Sequence, residues 1–104
     1  LPQVFSDWVT QTVRLRRGQA YAELDWTVGP IPVGKEVISR FRAPSLASEA
    51  TFYTDANARE FQRRVRNKRP TWDLDVTQPV AGNYYPVTAA AFVRDEGDGD
   101  GEDE

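Results

Sequence analysis

Two runs of strict alternation constrain this chain more than any other feature. Val9, Gln11, Val13 and Leu15 alternate with Thr10, Thr12, Arg14 and Arg16, and Ala20, Ala22, Leu24, Trp26 and Val28 alternate with Tyr21, Glu23, Asp25 and Thr27. A repeat of two places each set on one face of a strand, whereas a helix needs spacings of three and four. Arg17-Gly18-Gln19 lies between the runs as a turn. Together they predict a hairpin in which the two apolar faces meet and the charges point outward. Gly29-Pro30-Ile31-Pro32 then stops the second strand, because proline has no N–H for a ladder.

The rest of the chain reads the same way. Lys35–Arg42 predicts a third strand with Val37, Ser39 and Phe41 on one side, Pro44–Ala50 a loop, and Thr51–Thr54 a fourth strand. Residues 55–66 are open to two readings. Asp55 could cap a helix over Asn57–Arg66 with Phe61 and Val65 at i, i+4, or the chain could turn at Asn57-Ala58 and return as an Arg-rich strand. Local pattern leans toward helix. Pro79 and Pro86 bracket Gly82-Asn83-Tyr84-Tyr85, and Val87–Val93 predicts a last strand. Short strands with Gly and Pro punctuation predict an all-β, antiparallel fold.

Composition narrows the chemistry. The 104 residues suit one small domain with a thin core, since a chain of this size buries about 60–70% of its unfolded surface. No Cys is present, so disulfides, thiol nucleophiles and Cys-ligated metals are excluded, and no His is present, which removes the commonest general base and zinc ligand. With no Met and a start at Leu1-Pro2, the chain reads as a processed product or excised piece. No apolar run approaches the roughly 18 residues of a membrane span. The net charge of −3 hides an asymmetry: residues 95–104 hold 7 of the 16 acids and no base, which leaves 9 acids against 13 bases, or +4, on residues 1–94. A Gly/Asp/Glu run of that kind is expected to be a disordered acidic tail beyond a folded segment 1–94.

Several residue sets carry a chemical reading beside a plainer one. Arg59–Arg69 holds six bases and one acid around Phe61, with Trp72 nearby, and could track a nucleic-acid backbone; the plainer reading is a solvated face. Glu23/Asp25 and Asp73/Asp75 have the i, i+2 spacing that puts two carboxylates on one strand face, as a glycosidase pair would need, but a solvated face explains them as well. Glu96-x-Asp98-x-Asp100-Gly101 imitates the start of a calcium loop without its distal ligand or helical flanks. Trp8, Trp72 or Tyr85 could form the aromatic platform of a stand-alone carbohydrate-binding module. No catalytic, cofactor-binding or metal residue is assigned to this chain, and neither a membrane nor a nucleic-acid partner is expected.

Four blocks, in order, resemble lysosomal-type α-mannosidases, the family 38 glycoside hydrolases. They are Leu24-Asp25-Trp26-Thr27-Val28-Gly29-Pro30-Ile31-Pro32-Val33 with Gly34-Lys35-Glu36-Val37-Ile38-Ser39-Arg40-Phe41; Phe52-Tyr53-Thr54-Asp55-x-Asn57; Arg69-Pro70-Thr71-Trp72-x-Leu74; and Pro79-Val80-Ala81-Gly82-Asn83-Tyr84-Tyr85-Pro86-Val87. The likeness covers roughly residues 8–95. It implies a segment of the C-terminal β-sandwich region of a large enzyme of the lysosome or vacuole, which removes terminal mannose from glycans by a retaining mechanism.

By the same resemblance, Zn2+ and the nucleophilic Asp belong to the N-terminal catalytic domain of the parent, so no catalytic residue is carried over. The expected partners are the remaining domains of the parent and, through it, mannose-containing glycans. Pro79–Pro86 would be a rigid loop bringing Tyr84 and Tyr85 to packing positions, with contact to the sugar cleft the other role for the pair. The resemblance moves residues 59–66 from helix to strand. It also exposes three departures. The Val33–Gly34 link is short, no Asn lies in a glycosylation sequon, and Ala58 stands where the family usually has Gly, so a positive φ there would be strained.

Overall fold

The computed structural model describes residues 1–97, and those residues form two units, Leu1–Phe41 and a second beginning at Arg42. The architecture is all-β, with two three-stranded antiparallel sheets and no α-helix among the described residues. No helix is long and apolar enough to cross a membrane.

The first unit holds β1 (Pro2–Ser6), β2 (Val9–Leu15) and β3 (Ala22–Val28), in the order β1-β2-β3. The expected hairpin is present in the expected register: Val9 lies opposite Val28, Gln11 opposite Trp26, Val13 opposite Leu24 and Leu15 opposite Ala22. Its turn closes through a Gln19 N–H to Arg16 C=O bond of 3.2 Å, with Gly18 at φ 84°, where glycine carries no Cβ penalty. Gly29 has a different reason to be glycine. Its N–H donates to the Trp8 carbonyl at 2.6 Å, and a Cβ added there would sit 3.3 Å from the Trp8 Cβ. The ladder therefore continues one rung past β3 before the prolines end it.

One element of this unit was not expected, and one expectation beside it fails. The sequence pattern did not signal β1, whose register with β2 shifts between Val4 and Ser6. Lys35–Arg42, expected as a third strand, is not in any sheet; alternation defines faces, but a strand also needs a neighbour to bond, and none of the described segments pairs with it.

The second unit holds β4 (Thr51–Ala56), β5 (Glu60–Val65) and β6 (Ala91–Phe92), in the order β5-β4-β6. Residues 59–66 therefore follow the resemblance and not the local lean toward helix. The hairpin turn closes through Arg59 N–H to Ala56 C=O at 3.0 Å, with Asn57 at φ 55° and Ala58 at φ 60°. Two consecutive positive φ values are what a primed hairpin turn requires, so the strain expected of Ala58 is present. The last strand is shorter than the expected Val87–Val93, because Thr88, Ala89 and Ala90 donate their N–H groups to a carboxylate and not to a ladder.

β4 is flanked on both edges, and the buried residues are all on it: Thr51, Tyr53, Thr54 and Asp55. Tyr53, 8% exposed, is the one buried hydrophobic residue among those described, while nineteen large apolar or aromatic side chains are exposed. The expected acidic tail begins inside the described structure, where the Glu96 N–H donates to the Ala47 carbonyl at 2.9 Å. Residues 98–104 of that tail lie outside the described residues.

Candidate functional site

The chemistry-bearing side chains of the second unit gather on the two faces of β4. On one face, Tyr53 stacks on Phe92 (centroids 4.6 Å apart, 10° between planes) and Phe61 meets Phe92 edge-on at 4.8 Å. The Tyr53 hydroxyl donates to Glu96 Oε2 at 2.8 Å. Arg94 reaches both, with Nε 3.1 Å from Glu96 Oε2 and a terminal nitrogen 3.1 Å from the Tyr53 oxygen. The hydroxyl bond, followed by the Arg94 guanidinium, holds the Glu96 carboxyl below its ordinary range, and Glu96 in turn raises the pKa of Arg94. Glu96, the first member of the calcium-like sequence, is thus a latch between β4 and the chain after β6. Asp98 and Asp100 lie outside the described residues.

Asp55 points to the same side and is only 6% exposed. Its carboxylate accepts from the N–H groups of Ala58 (2.7 Å), Thr88 (2.8 Å), Ala89 (3.1 Å) and Ala90 (3.3 Å). These bonds, with that from Ala89 the largest influence, pull its pKa down to about 2 against the opposing effect of burial. The carboxylate tethers the strained turn and the chain before β6 to one strand. Its oxygens are occupied by backbone donors, which leaves it unsuited to attack a substrate or to carry a proton.

On the opposite face, Tyr85 packs edge-on against Phe52 at 5.6 Å. The guanidinium carbons of Arg64 and Arg69 lie 4.4 Å and 5.0 Å from its ring centre. Arg64 is fixed by an Nε to Thr54 Oγ1 bond of 3.0 Å, and Arg69 donates to the Gly82 carbonyl. Asn83 braces the loop: its Nδ2 donates to Pro79 O (2.9 Å) and Asn67 Oδ1 (3.0 Å), while its Oδ1 accepts the Asn67 N–H (2.8 Å). The Pro79–Pro86 loop is therefore held from both ends. It separates the tyrosine pair. Tyr85 is committed to packing, whereas Tyr84 is 63% exposed and lines an open groove of about 610 Å³ with Phe52, Asn83, Pro86 and Val87.

The remaining candidates separate. Glu23 and Asp25 form strand-face ion pairs with Arg16 (3.6 Å) and Arg14 (3.0 Å), and Asp73 and Asp75 lie on an exposed extended stretch. The basic run is divided by strand alternation: Arg63 lies opposite Tyr53 and Arg64 opposite Phe52, on different faces, and Arg64 and Arg69 are engaged with Tyr85. Trp8 belongs to the first unit, and Trp72 and Tyr85 to the second. The residues present do not suit a zinc ion, since the chain has no His or Cys and, among the described residues, no three acidic side chains converge.

Pattern reading missed two features. One is the Asp55 cradle, most of whose donors lie more than thirty positions away. The other is a groove of about 600 Å³ in the first unit, bordered by Phe5, Trp8, Leu24, Trp26, Val37 and Phe41. Trp26 and Leu24, which alternation marks as inward-facing, are a little under half exposed there.

Each unit is thus a three-stranded antiparallel sheet, and a single hydrophobic side chain is buried among the described residues. Residues 1–99 match the model for the C-terminal domain of glycosyl hydrolases family 38, and the chain belongs to that family. It is 57% identical over 97 residues to the lysosomal alpha-mannosidase of Bos taurus and 56% identical to that of Homo sapiens, in each case over 89% of this chain and 10% of the relative. It is 48% identical over 98 residues to an alpha-mannosidase of Canavalia ensiformis, covering 90% of this chain and again 10% of the relative. The chain thus spans about a tenth of the length of these relatives.

Proposed function

We propose that this chain is a non-catalytic structural segment of a zinc-dependent retaining α-mannosidase, which removes terminal α-mannose from glycoprotein glycans in the lysosome or vacuole. The observation that carries the reading is the mismatch between identity and interior. The chain keeps more than half its residues in common with lysosomal alpha-mannosidases, yet buries one hydrophobic side chain among those described. Exposed apolar faces of this extent suit surfaces that other parts of a protein cover. Zinc, the nucleophile and the acid–base carboxylate would come from the parent outside this chain, because Asp55 is engaged by backbone donors, Glu96 by Tyr53 and Arg94, and no other acid is buried among the described residues.

Within the parent, the segment braces the catalytic region, and Tyr84 is the residue best placed to reach a bound glycan. Its ring is exposed on a loop that Asn83 and Arg69 hold rigid, a geometry suited to stacking on a sugar without an ordering cost. The experiment is to assay the purified 104-residue chain with an aryl α-mannoside and added Zn2+. No hydrolysis above the blank is expected, and turnover by the lone chain would overturn the reading.

A further inference from the structure

Residues 35–42 carry the pattern of a strand without being one. Val37, Ser39 and Phe41 alternate with Glu36, Ile38 and Arg40, and valine, isoleucine and phenylalanine all favour extended backbone. The turns on either side are closed, with Lys35 N–H donating to Pro32 O at 3.1 Å and Leu46 N–H to Ala43 O at 3.0 Å. Between them, the backbone of residues 36–42 makes no backbone hydrogen bond among the described residues. Val37 is half-buried beside the groove of Trp26 and Leu24, while Ile38 and Phe41 are 70% and 77% exposed. The segment is therefore bounded by two turns and apolar in alternation, with its backbone donors and acceptors lacking a backbone partner among the described residues.

Such a pattern specifies a register only when a neighbour bonds the backbone and something covers one face. We propose that residues 36–42 are a β-strand in the intact protein, completed by an extended segment of the parent polypeptide outside these 104 residues. This inference rests on the proposed membership of a larger α-mannosidase and names the surface through which that membership is made. Relatives that match this chain are about ten times as long, so a partner strand has ample chain to come from. The complementary strand would be alternately apolar, so that one side of it closes the groove over Trp26, Leu24 and Phe41. Main-chain bonds would supply the pairing and the groove the registration, as in strand addition generally.

Amide hydrogen exchange tests this in the purified parent enzyme and in the isolated chain. Amides 37–41 should exchange about 100-fold or more slowly in the enzyme and freely in the isolated chain, in alternation if one neighbour is present and throughout if there are two. Free exchange of these amides in the enzyme, alongside slowed amides in β2 and β3, would overturn the strand while leaving the parent reading intact. Protection that grows with concentration of the isolated chain would assign the partner strand to a second copy, against the proposal. Failure to find the chain within any larger α-mannosidase would remove both.

Discussion

Four backbone N–H groups converge on the Asp55 carboxylate, and the acid sensitivity of the second unit follows from them. Asp55 has an ordinary pKa of 3.8 and is held at about 2 in the fold, so the folded state binds its proton less readily than the unfolded state. Its contribution is complete above about pH 5 and is lost as the pH falls from about 5 through 4 toward 2. Urea midpoints measured between pH 2 and pH 6 should show that decline, and Asp55→Asn should lower the midpoint at pH 6 and flatten the curve below pH 4. A few positions away, Ala58 sits at φ 60° and bears the left-handed strain that glycine avoids. Ala58→Gly is expected to stabilise the chain by about 1 kcal/mol, read from the same denaturation curves. Asp55 itself could not be identified from its neighbours, since Thr88, Ala89 and Ala90 have no side-chain signature that marks them as donors. Ala58 could, because a departure from glycine in a turn after Asn57 has a direct steric consequence.

Among the elements, the hairpin whose pattern, turn and glycine agree was legible, and those whose pairing overrides or lacks a local signal were not. The Val9–Val28 hairpin came through with its register because pattern, turn and glycine all lie within one short stretch of chain. At residues 59–66, the i, i+4 pair of Phe61 and Val65 favoured a helix, and pairing with Thr51–Ala56 prevailed, as tertiary context does over weak propensity. Lys35–Arg42 and Val87–Ala90 failed for opposite reasons. The first has no neighbour among the described residues, and the second gives N–H groups to Asp55. The Pro79–Pro86 loop was expected to be rigid, and its bracing by Asn83 and Arg69 divides the tyrosine roles. Tyr85→Ala removes a ring packed against Phe52 and two guanidinium groups, and should cost about 1–3 kcal/mol by thermal melting. Tyr84→Ala should change stability by less than about 0.5 kcal/mol. In the parent enzyme it should raise KM for oligomannose glycans while sparing a small aryl mannoside.

At the scale of the whole molecule, the composition of an ordinary globular domain, 39% hydrophobic with three tryptophans, stands beside a single buried hydrophobic side chain among the described residues. The apolar residues are not surplus. Leu24, Trp26, Ile38 and Phe41 keep the alternation of strand positions, and the proposed partner strand would cover the groove they line. The isolated chain should therefore be marginal and prone to self-association, with a transition that is measurable but low and broad, and a soluble chain with a steep two-state transition at high temperature would count against that. The family was legible from four ordered blocks of residues because they span most of the chain. No active site was read from any residue here, and under the proposed function the catalytic groups would come from outside these 104 residues. The most direct measurement of the central claim is the native size at which this chain migrates, with α-mannosidase activity assayed across the same fractions. Comigration with activity is expected, at a mass far above 11.8 kDa. Migration as a lone, compact species apart from all α-mannosidase activity would contradict it.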